Sequence, residues 1–208
     1  MDVPLARSWV AAIAAAIADQ ADYLTQLDSA IGDADHGVNM HRGFTAVVAA
    51  LEGYEAASVG DVLVRTGTTL VSKVGGASGP LYGTAFRAIG KELTGSTVDG
   101  PEFAAALKAG LEGLKRLGAA VPGDKTIVDA YAPALAAFEG ALGEGAPFGA
   151  AAAAAAQAAE DGAHATTAMQ ARKGRASYLG PRSVGHQDPG ATSTWLVFRA
   201  LAAVTAGA

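Results

Sequence analysis

Cysteine is absent from all 208 residues. That excludes disulfides, thiolate metal sites and a cysteine nucleophile, and it suits a reducing cytoplasm. A basic excess is lacking as well: 15 Lys and Arg against 20 Asp and Glu leave a formal net charge of −5. The chain therefore has no overall footprint for nucleic acid, while small anionic ligands stay open to local sites. No apolar run reaches the roughly 20 residues of a membrane span. Gly145 to Ala159 is uncharged but mostly alanine, and it contains Pro147. Val10 to Ala18 is apolar enough for a signal core, yet Asp2 precedes it, Asp19 follows it and no basic segment leads it. Repeats of fixed period and linker-like composition are also missing, so residues 1–208 read as one domain, inside the usual range of about 50–250 residues. Strict polar–apolar alternation, the mark of half-buried strands, is hard to find.

What the chain has instead is helical spacing, which predicts an all-α fold. Trp9, Ile13 and Ile17 mark a first helix, and Met40, Phe44, Val47, Val48 and Leu51 a second. Val59 to Val71 forms a third and Leu81 to Leu93 a fourth. Phe103, Leu107, Leu111, Leu114 and Leu117 define the fifth, with Pro101 suited to its first turn. Ile127, Tyr131, Leu135, Phe138 and Leu142 define the sixth, which Pro133 would kink if it lies beyond the first turn. The seventh, Phe148 to Gln170, is alanine-rich and suits close packing; Trp195, Phe198 and Leu201 mark the eighth. Short connections make successive helices antiparallel neighbours. The longest irregular stretch, Arg172 to Gly190, is a natural place for function.

Chemistry concentrates first in Asp28-Ser29-Ala30-Ile31-Gly32-Asp33-Ala34-Asp35-His36-Gly37-Val38-Asn39. Its glycines and lack of helical apolar spacing predict that the three aspartates gather on a loop. Two bare carboxylates at ~4 Å repel by roughly 4 kcal/mol at an effective dielectric of about 20. A cation removes that penalty, and all-oxygen ligation selects a hard ion such as Mg²⁺ or Ca²⁺ over zinc. An EF-hand fails: counted from Asp33, glycine falls at position 5 and Phe44 takes the place of the bidentate glutamate. Asp35 also suits the N-cap of the second helix. His36 and Asn39 can serve metal, phosphate or the loop itself.

Gly75-Gly76-Ala77-Ser78-Gly79-Pro80 opens a helix and fits either an anion at the free N–H groups or a tight interhelical corner. Gly118-Ala119-Ala120-Val121-Pro122-Gly123-Asp124-Lys125-Thr126 nearly matches a P-loop, but Asp124 stands where the lysine belongs and the stretch follows a helix, which rejects a Walker A loop while leaving Lys125 and Thr126 open to a place near a nucleotide. No convincing dinucleotide fingerprint and no serine-nucleophile elbow occurs. Arg172, Lys173, Arg175 and Arg182 form a basic loop with no acid before Asp188. Arginine forks suit phosphate oxygens. An acidic metal loop and a basic glycine loop in one chain point to a metal–nucleotide complex.

Gly32 to Met40, Val74 to Gly83, Pro122 to Thr126, Met169 to Gly180 and His186-Gln187-Asp188-Pro189-Gly190-Ala191-Thr192-Ser193 together resemble, in order along essentially the whole chain, the nucleotide-binding L-subunit family of bacterial dihydroxyacetone kinases. The resemblance implies a closed barrel of eight antiparallel helices with the nucleotide among loops at one end. It implies two Mg²⁺ ions on Asp28, Asp33 and Asp35, with Arg175 completing the catalytic set and ADP or ATP as the bound nucleotide. By the same carry-over His36, Val38, Asn39, Ala77, Ser78, Gly118, Arg175, Asp188 and Pro189 lie around the nucleotide. Ile127, where close relatives are expected to have methionine, meets the base. Members of this length look like parts of a phosphotransferase system. In them ADP is recharged by a phosphohistidine carrier subunit, and the phosphoryl passes to dihydroxyacetone on a separate kinase subunit. The substrate-anchoring histidine belongs to that partner, so His36, His41, His164 and His186 do not inherit its role. Exchangeable ATP with another keto-sugar, a fatty-acid kinase domain, and a non-catalytic regulatory module are the competing readings.

Overall fold

Helix α1 (Val3–Asp19) starts where the Asp2 carboxylate accepts the Leu5 N–H at 2.8 Å and Pro4 sits in the first turn. The computed structural model describes residues 1–206. After α1 come α2 (Ala21–Ile31), α3 (His36–Leu51), α4 (Val59–Lys73) and α5 (Ser78–Glu92). They are followed by α6 (Gly100–Gly118), α7 (Ile127–Gly143), α8 (Phe148–Ala165) and α9 (Pro189–Thr205). Two 3₁₀ segments, Thr166–Ala168 and Arg175–Ser183, lie between α8 and α9. Among the described residues there is no strand, only an isolated bridge between Asp2 and Thr97.

The expected all-α barrel is the architecture found. Each helix from α3 to α9 packs on its predecessor, and α9 packs on α1 to close the ring. Both α1 and α2 lie against α3 and α9, and hardly against each other. They act as one rod bent at Gln20, across which Gln20 N–H reaches the Ala16 carbonyl and Leu24 N–H reaches that of Gln20. Among the described residues, eight rods therefore stand around the core. The few aromatics are concentrated there: Trp9 meets Phe86 and Phe103 at 5.8 and 5.7 Å between ring centroids, and its Nε1 donates to the Val197 carbonyl.

Three local expectations change. Residues 21–31 are helical, so Asp28 stands on the last turn of α2 rather than on a loop. Leu24, Asp28 and Ile31 share its buried face; the middle member of that i, i+4, i+7 stripe is a carboxylate, which hides the apolar period. The seventh predicted helix stops at Ala165 and tightens into a 3₁₀ turn, short of Gln170. Arg172 to Gly190 is not wholly irregular, because the second 3₁₀ segment lies inside it.

Packing of α4 on α5 depends on four glycines. A Cβ on Gly60 would stand 2.2 Å from the Gly90 carbonyl oxygen, and one on Gly67 would stand 2.6 Å from that of Gly83. Missing side chains thus let two backbones touch. In this up-and-down ring the connections 32–35, 74–77, 119–126 and 166–188 all fall at one end. The N-termini of α3, α5, α7 and α9 fall there too, aiming four positive dipole ends at the same region.

Candidate functional site

Asp28, Asp33 and Asp35 each offer a carboxylate oxygen, and these oxygens lie within 4.8 Å of one another. Asp28 is buried, and its Oδ2 accepts the backbone N–H groups of Asp35 at 2.9 Å and His36 at 3.1 Å. The α2 carboxylate therefore ties down the start of α3. Gly32 allows this, since a Cβ there would fall 1.9 Å from Asp28 Oδ1. Ala34 takes a left-handed φ of 62°, which turns the chain between Asp33 and Asp35. Asp35 is the N-cap residue of α3, yet its side chain makes no capping hydrogen bond. That decides between the two uses of Asp35: its carboxylate is left for the cluster. Three carboxylates make an all-oxygen donor set that fits a hard divalent cation.

His36 lies behind this cluster with both ring nitrogens engaged. Nε2 is 2.8 Å from Ser193 Oγ, and Nδ1 is 3.1 Å from Ser78 Oγ. Ser193 Oγ continues to the Tyr82 hydroxyl at 2.7 Å, which also meets Thr194 Oγ1 at 2.8 Å. Burial pushes the imidazole pKa down to about 4, against the opposing pull of the Asp28 and Asp35 charges. It is a neutral, oriented ring. Ser78 opens α5, whose N-cap Ala77 supplies no side-chain cap, so that first turn keeps donors for a ligand. By contrast α7 and α9 are capped by Thr126 and Asp188.

Asp188 accepts the Ala191 N–H at 2.7 Å, and its own N–H donates to Thr166 Oγ1 at 2.9 Å. Burial raises its carboxyl pKa to about 7 despite that N–H and the nearby Lys125. Across the mouth, Arg175 on the 3₁₀ segment places Nε 2.8 Å from Asp33 Oδ2.

These groups surround a cavity of about 320 Å³, a size suited to a small-molecule ligand. One part of its wall is polar, with the three aspartates, His36, Ser78 and Arg175; another is apolar, with Leu81, Leu114, Gly118, Ala120, Ile127 and Val128. Of the residues singled out from sequence, Asp28, Asp33, Asp35, His36, Ala77, Ser78, Gly118, Ile127, Arg175, Asp188 and Pro189 line it. Val38 and Asn39 are outside that lining. Val38 is exposed in the first turn of α3, while Asn39 is buried, its Oδ1 accepting from Arg42. Sequence reasoning used Leu81 and Leu114 only as helix residues and gave neither them nor Tyr82 a role in the site. Lys125 and Thr126, left open to a place near a nucleotide, do line the cavity, but the Lys125 ammonium turns into the 166–186 connection. For that residue the near-miss P-loop was the one available signal.

Comparison with known proteins gives a consistent family. The DAK2 domain model matches residues 30–203. The ADP-binding subunit DhaL of the PEP-dependent dihydroxyacetone kinase of Escherichia coli (strain K12) is 43% identical over 196 residues, covering 94% of this chain and 93% of the relative. The DhaL subunit of the PTS-dependent kinase of Lactococcus lactis is 39% identical over 198 residues, covering 95% of each chain. Among solved structures, the dihydroxyacetone kinase from C. freundii in complex with AMP-PNP and Mg²⁺ matches with a TM-score of 0.75 at 26% identity. That match covers 98% of this chain, which spans about a third of the kinase chain (34%).

Proposed function

The chain belongs to the DAK2 domain family, and on that footing we propose that it is the ADP-binding, phosphoryl-transferring subunit of a cytoplasmic dihydroxyacetone kinase. A phosphohistidine carrier of the phosphotransferase system recharges the nucleotide. The phosphoryl group then passes to dihydroxyacetone held on a partner kinase subunit. The observation that carries this reading is the two-part cavity, a three-carboxylate cluster faced by Arg175 beside an apolar slot between α6 and α7. A polyanion with its cations suits the first part and a flat base the second.

In this reading Asp28, Asp33 and Asp35 hold a pair of Mg²⁺ ions. Bound there, the metal–nucleotide complex supplies the transferable phosphoryl group and offsets the charge on the phosphate oxygens. The protein's task is positioning and charge neutralisation, which dominate phosphoryl transfer. Asp28 fixes the start of α3 through two N–H groups, so the cluster is built before ligand arrives. Ser78 and the open first turn of α5 direct donors at phosphate. Arg175 counters charge from the opposite wall. Gly118, Ile127, Asp188 and Pro189 line the cavity, whereas Val38 and Asn39 stand outside its wall in the first turn of α3 and belong to the nucleotide surroundings by family resemblance alone. His36, neutral and held at both nitrogens, orients Ser78 and takes no covalent part.

Phosphorus NMR of the purified protein tests the proposal. ADP should co-purify, become ATP on addition of phosphorylated carrier, and return to ADP when the partner subunit and dihydroxyacetone are added. Ready exchange and full turnover with ATP alone would remove the carrier from the scheme. A preparation that neither retains nor binds nucleotide in the presence of Mg²⁺ would overturn the whole assignment.

A further inference from the structure

Lys125 is a charged side chain inside the protein, only 1% exposed, on a backbone with a left-handed φ of 63° that residues bearing a Cβ rarely adopt. Its ammonium donates to the main-chain carbonyls of Thr166 at 2.9 Å, Met169 at 3.1 Å, Ser183 at 2.7 Å and His186. Three N–H bonds thus serve four oxygens, the arrangement of a small cation in a carbonyl cage. All four acceptors come from one connection, two before the 3₁₀ segment that carries Arg175 and two at or after its end. One ammonium therefore joins both feet of that segment to the α6–α7 connection.

Neighbouring bonds strengthen the same junction. Arg172 N–H reaches the Asp124 carbonyl at 3.1 Å, Ala171 N–H reaches Ser183 Oγ at 2.9 Å, and Gly185 N–H reaches the Thr167 carbonyl at 2.8 Å. Between the feet lie Arg172, Lys173, Arg175 and Arg182 with no acidic residue, a loop that repels itself and gains little from its own side chains. The carbonyls are drawn inward onto Lys125 while Arg172, Arg175 and Arg182 are exposed, and Arg175 meets Asp33.

We propose that Lys125 is a positioning residue for phosphoryl transfer, an internal cation that clamps both feet of the 169–183 segment and so holds Arg175 over the aspartate cluster. This rests on the assignment of Arg175 to the transfer site. It gives the near-miss P-loop lysine a role: the residue organises main-chain carbonyls, and the loop it organises delivers the arginine.

The test compares the parent, Lys125→Met, Arg175→Ala and the double variant, using amide hydrogen exchange together with kcat and KM for transfer. In Lys125→Met, amides of residues 169–186 should exchange at least about tenfold faster while those of α3 and α4 keep their parent rates. Its kcat should fall by nearly the factor seen for Arg175→Ala, with the double variant close to either single one. Unchanged loop exchange, or losses that multiply in the double variant, overturns the proposal. An Arg175→Ala protein with parent kcat fails the underlying assignment instead, recognisable because Lys125→Met then loosens the loop without a matching loss of transfer. Should Lys125→Met not fold, the parent protein decides. In ¹⁵N-lysine spectra the Lys125 ammonium protons should exchange far more slowly than those of exposed Lys91 and Lys108; equal rates would sink the clamp.

Discussion

Arg175 Nε stands 2.8 Å from Asp33 Oδ2, although the two residues belong to connections separated in sequence by six helices. Both side chains are well exposed, at 69% and 37%, and exposed ion pairs contribute little to stability. The pair therefore matters for what it brings together, a cationic fork and a cation-binding cluster across the mouth of one cavity. Arg175→Ala should slow phosphoryl transfer by about 10²-fold or more while leaving the thermal midpoint close to that of the parent. A coupled transfer assay and a melting curve on the same samples check both halves; a large fall in the midpoint would mark Arg175 as structural.

Gly32→Ala should be more damaging than its size suggests. The new Cβ would fall 1.9 Å from Asp28 Oδ1, so the carboxylate that holds the start of α3 must rotate away. Calorimetric titration with ADP and Mg²⁺ should show at least tenfold weaker binding, with the circular dichroism of the helices retained. Parent-like affinity would mean that the Asp28 position is not needed.

Mg²⁺ should stabilise the folded chain through the aspartate cluster. A cation that binds only the native state adds about 2.7 kcal/mol at 100 times its dissociation constant, enough to raise the melting midpoint by several degrees. Asp33→Ala should abolish that increment while leaving the metal-free midpoint nearly unchanged. An equal Mg²⁺ response in parent and variant would move the cation elsewhere.

Acid sensitivity should depend on His36. Its folded-state pKa of about 4 lies below the ordinary value near 6.5, so between these limits the unfolded chain binds the extra proton. The contribution is complete above about pH 6.5 and is lost as the pH falls toward 4, by up to about 3 kcal/mol. Asp188, with its pKa raised to about 7, acts with the opposite sign, its contribution lost as the pH rises. Parent and His36→Gln should therefore be compared by urea unfolding of metal-free protein. The variant should lose less stability between pH 6.5 and 4.5, and parallel profiles would exclude a buried neutral imidazole.

Much of the architecture was readable because it is written locally. Helix α6 repeats apolar side chains at Phe103, Leu107 and Leu111, the spacing that buries one face, and Asp99 with Glu102 closes a capping box at its start. Helix α2 was unreadable for the complementary reason. Its buried stripe runs through Asp28, and a carboxylate at a core position has no apolar signature. The close approach of α4 and α5 at Gly60, Gly67, Gly83 and Gly90 was equally hidden, since a glycine does not announce which backbone it faces.

By itself the sequence determined the all-α class, most of the helices, and the chemistry of the aspartate and arginine loops, because these follow from residue type and short spacing. Only the tertiary structure decided that Asp35 leaves its capping role unfilled, that Arg175 meets Asp33, and that Lys125 is enclosed by four carbonyls of a distant connection. Those are contacts between segments remote in the chain. They arise when the barrel closes and its alternate connections converge on one end, a geometry that no local pattern of side chains encodes.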